Sequence, residues 1–349
     1  MKKYFLYSFR RRIPLFVFIF VLFLLFGGLV PGLGFMSYGD SSGIFPLLIF
    51  GSIFITFLPV FGMNYRYSLQ KSDTFRQAGF KPGAIRVCDH LQILGVALVS
   101  YIASFLIYVV VAVTFKAREY HLIALLPLCL ATLLFFILEY GLSYYFMSFS
   151  NSAVTAVTTI LFTQLLFFFG FNIIARYVYD GFYIWASPLT YVPIVVGYFF
   201  QDLLTTGEPF GLTEPVFGSA LSTVSFLIIT LAIVCFGILG IVTLFFGEER
   251  SAEWAGKGKD VYQIQDILFY VGFILSATYL VSMLGTFLAG LINVFVYLLS
   301  MVVFVTIYGV RRQSFAFKQV DAITIIIVGV ILFVTCLISS LVFTYISHY

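Results

Sequence analysis

Long runs of apolar residues, close to 20 residues each and separated by short polar stretches, recur along the whole chain. A run of that length wound as an α-helix crosses a hydrocarbon layer of roughly 30 Å, and only helices or closed barrels satisfy their backbone hydrogen bonds there. The runs predict nine spans, at about 14–31, 44–62, 92–115, 122–147, 154–175, 221–246, 266–285, 288–309 and 322–346. In the 266–309 pair, "GTFLAG" has to act as a tight hairpin. The stretch 183–200 is also apolar but is interrupted by Pro188 and Pro193, within an aromatic segment that begins "RYVYDGFYIWASPLTYVPIVVGYFF". A short re-entrant or interfacial helical hairpin fits it better than a full crossing, with an ordinary loop anchored by aromatics as the plainer alternative. The expected fold class is therefore an all-α polytopic membrane protein.

Composition removes the alternative of a water-soluble globule. Of the 349 residues, 62% are hydrophobic and 10% charged, with a mean hydropathy of +1.08, against about 25% charged in soluble domains. The net charge of +4 needs no nucleic-acid partner, because Lys and Arg gather on the cytoplasmic side of membrane proteins. With the N-terminus placed inside, 16 of the 19 Lys and Arg fall in inner segments and only Lys116, Arg118 and Arg176 in outer ones. That bias predicts a cytoplasmic N-terminus and an external C-terminus. The opening "MKKYFLYSFRRRIPLFVFIFVLFLLFGG" resembles a signal peptide, but its apolar run is long enough to span and no small-x-small site follows; it reads as an interfacial segment, 1–13, leading into an uncleaved first helix. Four cysteines stand singly, at Cys88, Cys129, Cys235 and Cys336, without metal-ligand or redox spacing.

Three polar features carry the candidate chemistry. The loop "GEERSAEWAGKGKD" (247–260) holds seven charged residues. It is not a phosphate loop: Ser251 occupies the first glycine position and Gly258 follows Lys257 where a hydroxyl should hold magnesium. The inner segment 63–91, with "YRYSLQKSDTFRQAGFKPGAIRVCDHL" at 65–91, interleaves Lys71, Asp73, Arg76, Lys81 and Arg86 with aromatics such as Phe75. It reads as an amphipathic stretch along the membrane, broken at Gly79, Pro82 and Gly83 before the next span; a solvated basic loop is the simpler reading. Glu139, in "LLFFILEYGLSYYF", is a carboxylate inside a predicted span. A charge there costs about 2.5–3.5 kcal/mol on insertion scales, so Glu139 is either a substrate or proton site or a paired packing acid, with Ser143 and Tyr144 one turn away as hydrogen-bond partners. Pro127 is expected to kink the same helix. Gln164, in "LFTQLLFFFGFN", suits hydrogen bonding between helices. His90, His121 and His348 form no cluster in the sequence, and no catalytic constellation is visible.

Two of these stretches resemble one family. "RSAEWAGK" (250–257) is similar to the R-x-S-E-x-A-G-K motif after the sixth span of ABC-2-type transporter permeases of Gram-positive bacteria, matching at Arg250, Glu253, Ala255, Gly256 and Lys257. "KSDTFRQAGFK" (71–81) is similar to the family's segment between spans two and three at Asp73, Phe75 and Lys81, with Ala78 and Gly79 where the family usually has Leu-Pro. The resemblance implies a six-span core at 14–246, a cytoplasmic connector at 247–265 and three additional spans at 266–349. It also implies a coupling role for Lys71, Asp73, Phe75, Arg76, Lys81 and Arg86 against separate cytosolic ATPase subunits that bind ATP and Mg, and a second permease subunit, identical or paralogous. The chain itself is then no enzyme and needs no cofactor of its own. An ion-coupled carrier using Glu139 is the alternative; its mark would be paired broken helices in related halves, and the sequence has no convincing internal repeat.

Overall fold

The computed structural model describes residues 2–29, 45–63, 79, 81–116, 125–150, 152–179, 187–196, 220–247, 263–284, 291–312 and 314–346. The described residues are helical almost throughout and contain no strand. In chain order the helices are α1 (Lys2–Leu22), α2 (Phe45–Phe57), α3 (Pro82–Lys116), α4 (Leu125–Met147), α5 (Ala153–Tyr179), the short α6 (Pro188–Tyr191), α7 (Ala220–Phe246), α8 (Gln263–Leu284), α9 (Leu291–Arg312) and α10 (Gln319–Ile346). Seven helical stretches are long and apolar enough to cross a membrane: Phe45–Gly62, Gly83–Val111, Leu126–Met147, Ala153–Ile173, Leu227–Phe246, Val294–Arg312 and Gln319–Ile338. The other two expected spans are helical as well. α1 passes into a π-helical turn at Phe23–Leu29, and α8 carries a shorter apolar stretch, Asp266–Leu280. Leu134, Val110, Leu231, Val302 and Ile326 point outward with more than half their surface uncovered. Exposed apolar faces repeated on so many helices suit hydrocarbon, not water. The chain is a multi-pass helical membrane protein.

Two expected boundaries change. Residues 82–91 are not part of a loop: α3 starts at Pro82 and runs unbroken for 35 residues. The reason is local. Pro82 opens the helix, where its missing N–H is no loss, the Lys81 carbonyl accepts the Ala84 and Ile85 amides, and Gly79 just before takes a positive φ of 75°. Pro127, expected to kink α4, is the third residue of the helix as described, a position where proline is tolerated.

The chain divides into two compact units, residues 1–148 with 184–255, and residues 149–183 with 256–349. In the first, α4 and α7 cross closely at Gly141, Gly237 and Gly240. A Cβ at Gly237 would come within 2.6 Å of the Leu138 carbonyl oxygen, and one at Gly240 would collide with the Gly141 backbone. Small residues of this kind let two helix backbones touch, the main source of helix association in lipid. Phe23, Leu47, Ile55, Tyr101 and Phe136 fill the adjoining core. α6 is buried in this unit: Pro188 and Tyr191 are covered, and the Tyr191 and Thr230 hydroxyls share a hydrogen bond of 2.5 Å. Residues 187–196 form this short buried helical element; the rest of the stretch 183–200 expected as a hairpin lies outside the described residues.

The second unit comprises α5, α8, α9 and α10. Its core is aromatic, with Phe162, Phe269, Phe273, Phe304 and Tyr308 in ring contact. At one end Arg311 pairs with Asp266 at 3.1 Å and lies over the Phe269 ring. Arg312 pairs with Asp321, which also accepts the Tyr308 hydroxyl at 3.0 Å and the Lys318 amide at 2.8 Å. These pairs neutralise four charges at the ends of three helices, so Arg311, expected only as a topology signal, is also buried structure.

Candidate functional site

The first unit holds a buried polar junction at the base of α3. Arg86, Asp89 and His90 fall within one and a half turns of that helix, and each reaches a different neighbour. Arg86 Nε donates to the Leu244 carbonyl at 2.9 Å and a terminal nitrogen donates to the Gly247 carbonyl at 2.6 Å. A guanidinium here satisfies carbonyls that the end of α7 leaves without helical partners, and its charge suits that helix terminus.

Asp89, 1% exposed, fastens α1. One carboxylate oxygen accepts the hydroxyls of Tyr4 (3.1 Å) and Ser8 (2.7 Å), and the other accepts Arg12 at 2.6 Å. Tyr4, Ser8 and Arg12 are spaced four apart, so they form one stripe of α1. Gln92, a turn along α3, adds a bond to the Phe5 carbonyl at 2.8 Å. Full use of both carboxylate oxygens by charged and neutral donors offsets the cost of taking Asp89 out of water. Burial, and then the adjacent Asp89 carboxylate, push the Tyr4 phenol above its ordinary pKa, so it stays a donor.

His90 reaches α4. Its Nδ1 shares a 2.6 Å hydrogen bond with the Tyr140 hydroxyl, and its ring meets Tyr144 edge-on at 4.8 Å between centroids. Gly62 is what makes room, since a Cβ there would lie 2.5 Å from the imidazole. Glu139 precedes Tyr140 but uses another face. Its Oε1 accepts Thr56 of α2 at 2.7 Å, while Oε2 is buried without a hydrogen-bond partner among the described residues. The hydroxyls of Ser52, one turn before Thr56, and of Ser143, one turn after Glu139, are buried in the same condition. Glu139 is thus tied between helices and not to Ser143 and Tyr144 on its own helix, as the spacing had suggested. The reason is rotational: Tyr144 is turned to His90.

Glu139→Gln is expected to leave thermal stability in detergent within about 0.5 kcal/mol of wild type, because an amide oxygen still accepts Thr56 and its NH₂ can use the Ser52 or Ser143 hydroxyl. Thr56→Val should cost about 1 kcal/mol. A Gln variant as damaged as Glu139→Leu would mean the negative charge itself supports the fold.

The sequence-derived candidates are distributed unevenly. Lys71, Asp73, Phe75, Arg76, Arg250, Glu253, Gly256 and Lys257 lie outside the described residues. Lys81 is exposed at the head of α3. Arg86 is 5% exposed and bonded inside the chain, so its side chain is a tie between helices. Glu139 and Tyr144 sit in the first unit, and Gln164 is buried on α5 in the second. Sequence reasoning missed Tyr4, Ser8, Arg12, Asp89 and His90 as a set. The one available signal was the four-residue spacing of polar residues in "YFLYSFRRR". Comparison with protein-family models, with curated proteins and with solved structures finds no match to this chain.

Proposed function

We propose that this chain is the transmembrane permease subunit of an ATP-binding-cassette exporter. It forms the translocation path with a second permease subunit and is driven by separate cytosolic ATPase subunits that bind ATP and Mg. The observation that carries the reading is the Arg86 clasp. The coupling segment 71–81 leads directly into α3, and Arg86 ties the start of α3 to the Leu244 and Gly247 carbonyls, three residues before Arg250 opens the "RSAEWAGK" motif. Arg86 follows the first of the two stretches that resemble the family and Gly247 precedes the second, and these two residues are tied to each other, while Asp89 fastens α1 to α3. A force applied at 71–81 enters the helices at this joint. The N-terminus is placed in the cytoplasm of a cell-membrane protein by the distribution of Lys and Arg. The aromatic, apolar spans suit an amphipathic cargo such as a peptide, drug or lipid-like compound.

The test is co-purification of the tagged chain from its native membrane in mild detergent. A stoichiometric soluble protein with a phosphate-binding loop is expected, and Asp73→Lys or Phe75→Ala should cut its recovery about tenfold while membrane insertion is unchanged. Recovery of no such ATPase would sink the reading. The second reading, an ion-coupled carrier, is favoured by the unpaired Oε2 of Glu139. Transport that stops when the proton gradient is collapsed at constant ATP, and that is lost in Glu139→Gln, would select it.

A further inference from the structure

α1 presents two unlike faces. Tyr4, Ser8 and Arg12 are turned to Asp89. Leu6, Tyr7, Arg10 and Arg11, spaced as i, i+1, i+4 and i+5, are exposed on another flank and line a concavity of about 590 Å³. Neither Arg10 nor Arg11 has a hydrogen bond or ion pair within the described residues, whereas the adjacent Arg12 is paired at 2.6 Å. The same flank continues through Val17 (55% exposed), Phe18 (56%) and Val21 (43%), with no further charge. At 1.5 Å per residue, Arg11 to Val21 spans about 15 Å, which is half of the roughly 30 Å hydrocarbon thickness and so the depth of one leaflet.

We infer that this flank of α1 is a binding site for one anionic phospholipid, its phosphate held by Arg10 and Arg11 and its acyl chains laid along Val17, Phe18 and Val21. Each feature has a place in that assignment. Two unpaired guanidinium groups match a phosphate's oxygens in charge and geometry. Tyr7, exposed beside the two arginines, is of the residue type that lines headgroup regions. The concavity lies within the roughly 300–1,000 Å³ of small-molecule sites, and the uncharged stripe beyond it has the length that an acyl chain covers. A soluble phosphate compound would use the arginines but leave the stripe without a role. A protein partner would have to cover the apolar stripe of Val17, Phe18 and Val21 as well as the arginines. The site is independent of what the chain transports or what drives it.

The test titrates the purified full-length chain, in detergent, with phosphatidylglycerol or phosphatidylcholine and counts bound lipid by native mass spectrometry. Wild type should prefer phosphatidylglycerol. Arg10→Gln and Arg11→Gln should each weaken it roughly fivefold, and the double variant about 25-fold, at about one such factor per basic residue near an anionic surface. Phosphatidylcholine binding should not move, and Lys318→Gln, which removes an exposed cation elsewhere, should behave as wild type. Phe18→Ala should weaken phosphatidylglycerol as well, while glycerol 1-phosphate should fail to displace it at equal concentration. Among the described residues Arg10 and Arg11 have no hydrogen-bond or ion-pair partner, so these variants should elute as wild type does. Equal phosphatidylglycerol binding by wild type and the double variant would overturn the inference. Displacement by glycerol 1-phosphate together with an indifferent Phe18→Ala would assign the arginines to a soluble phosphate instead. Loss of a co-purified protein without loss of lipid would assign them to protein docking.

Discussion

Gly240→Leu is expected to part α4 from α7 and destabilise the protein by about 3 kcal/mol or more, with Gly240→Ala costing about 1–3 kcal/mol. The cost is large because the obstruction is backbone. A Cβ at Gly240 runs into the Gly141 backbone, and one at Gly237 reaches the Leu138 carbonyl oxygen at 2.6 Å and its Cα at 3.0 Å. A side chain in the way can change rotamer, but a helix backbone can yield only by moving the whole helix. By contrast, Gly95 faces open space on α3, and Gly95→Ala should be neutral or slightly stabilising, since alanine is the better helix former. Thermal unfolding of the three variants in one detergent makes the comparison. Equal midpoints for Gly240→Leu and Gly95→Ala would show that the α4–α7 crossing is not as close as described.

Asp89→Ala is the second large effect, at about 3 kcal/mol. It removes the acceptor for Tyr4, Ser8 and Arg12 together, and breaking a buried pair leaves an uncompensated charge behind. Asp89→Asn should fall between, because an amide still accepts from the hydroxyls but no longer neutralises Arg12. In the pair Asp89→Asn with Arg12→Gln, part of the loss should return, since no charge is stranded. The readout is twofold: the unfolding midpoint, and labelling of a cysteine placed at Ser8, which the Asp89→Ala background should make accessible to a water-soluble maleimide. Unchanged labelling would show that α1 is held mainly by its apolar contacts through Phe16, Ile19 and Phe23.

The spans were legible in the sequence because hydrocarbon imposes one requirement, some 20 apolar residues, that a single chain displays without reference to its neighbours. The described residues of the nine expected stretches are helical almost throughout, and seven helical stretches are long and apolar enough to cross a membrane. What the sequence concealed was pairing. Arg86, Asp89 and His90 look like loop residues because three ionisable groups in five positions predict water, yet each is covered once its partner 50 to 161 residues away is in place. The start of the third span was therefore read ten residues late. Glu139 was visible as an anomaly, but Thr56, one of many threonines, was not visible as its donor. The glycines of α4 and α7 are ordinary in a chain with 28 glycines. Only their meeting across two helices gives them meaning. The grouping of α5 with α8, α9 and α10 is likewise a tertiary fact with no local mark.

The length of α3 has a mechanical consequence. Thirty-five residues without a break make a shaft of about 52 Å, some 20 Å longer than the hydrocarbon layer is thick. Its polar ties to α7, α1 and α4 are crowded into Arg86, Asp89 and His90, all within the first nine residues, while Ile93, Ala97, Tyr101, Phe105 and Tyr108 further along are held in the apolar core. A tilt of about 5° at those ties would displace the opposite end by about 4 Å. A torque at Pro82 therefore meets the three directional polar ties first and the apolar contacts of the shaft after them.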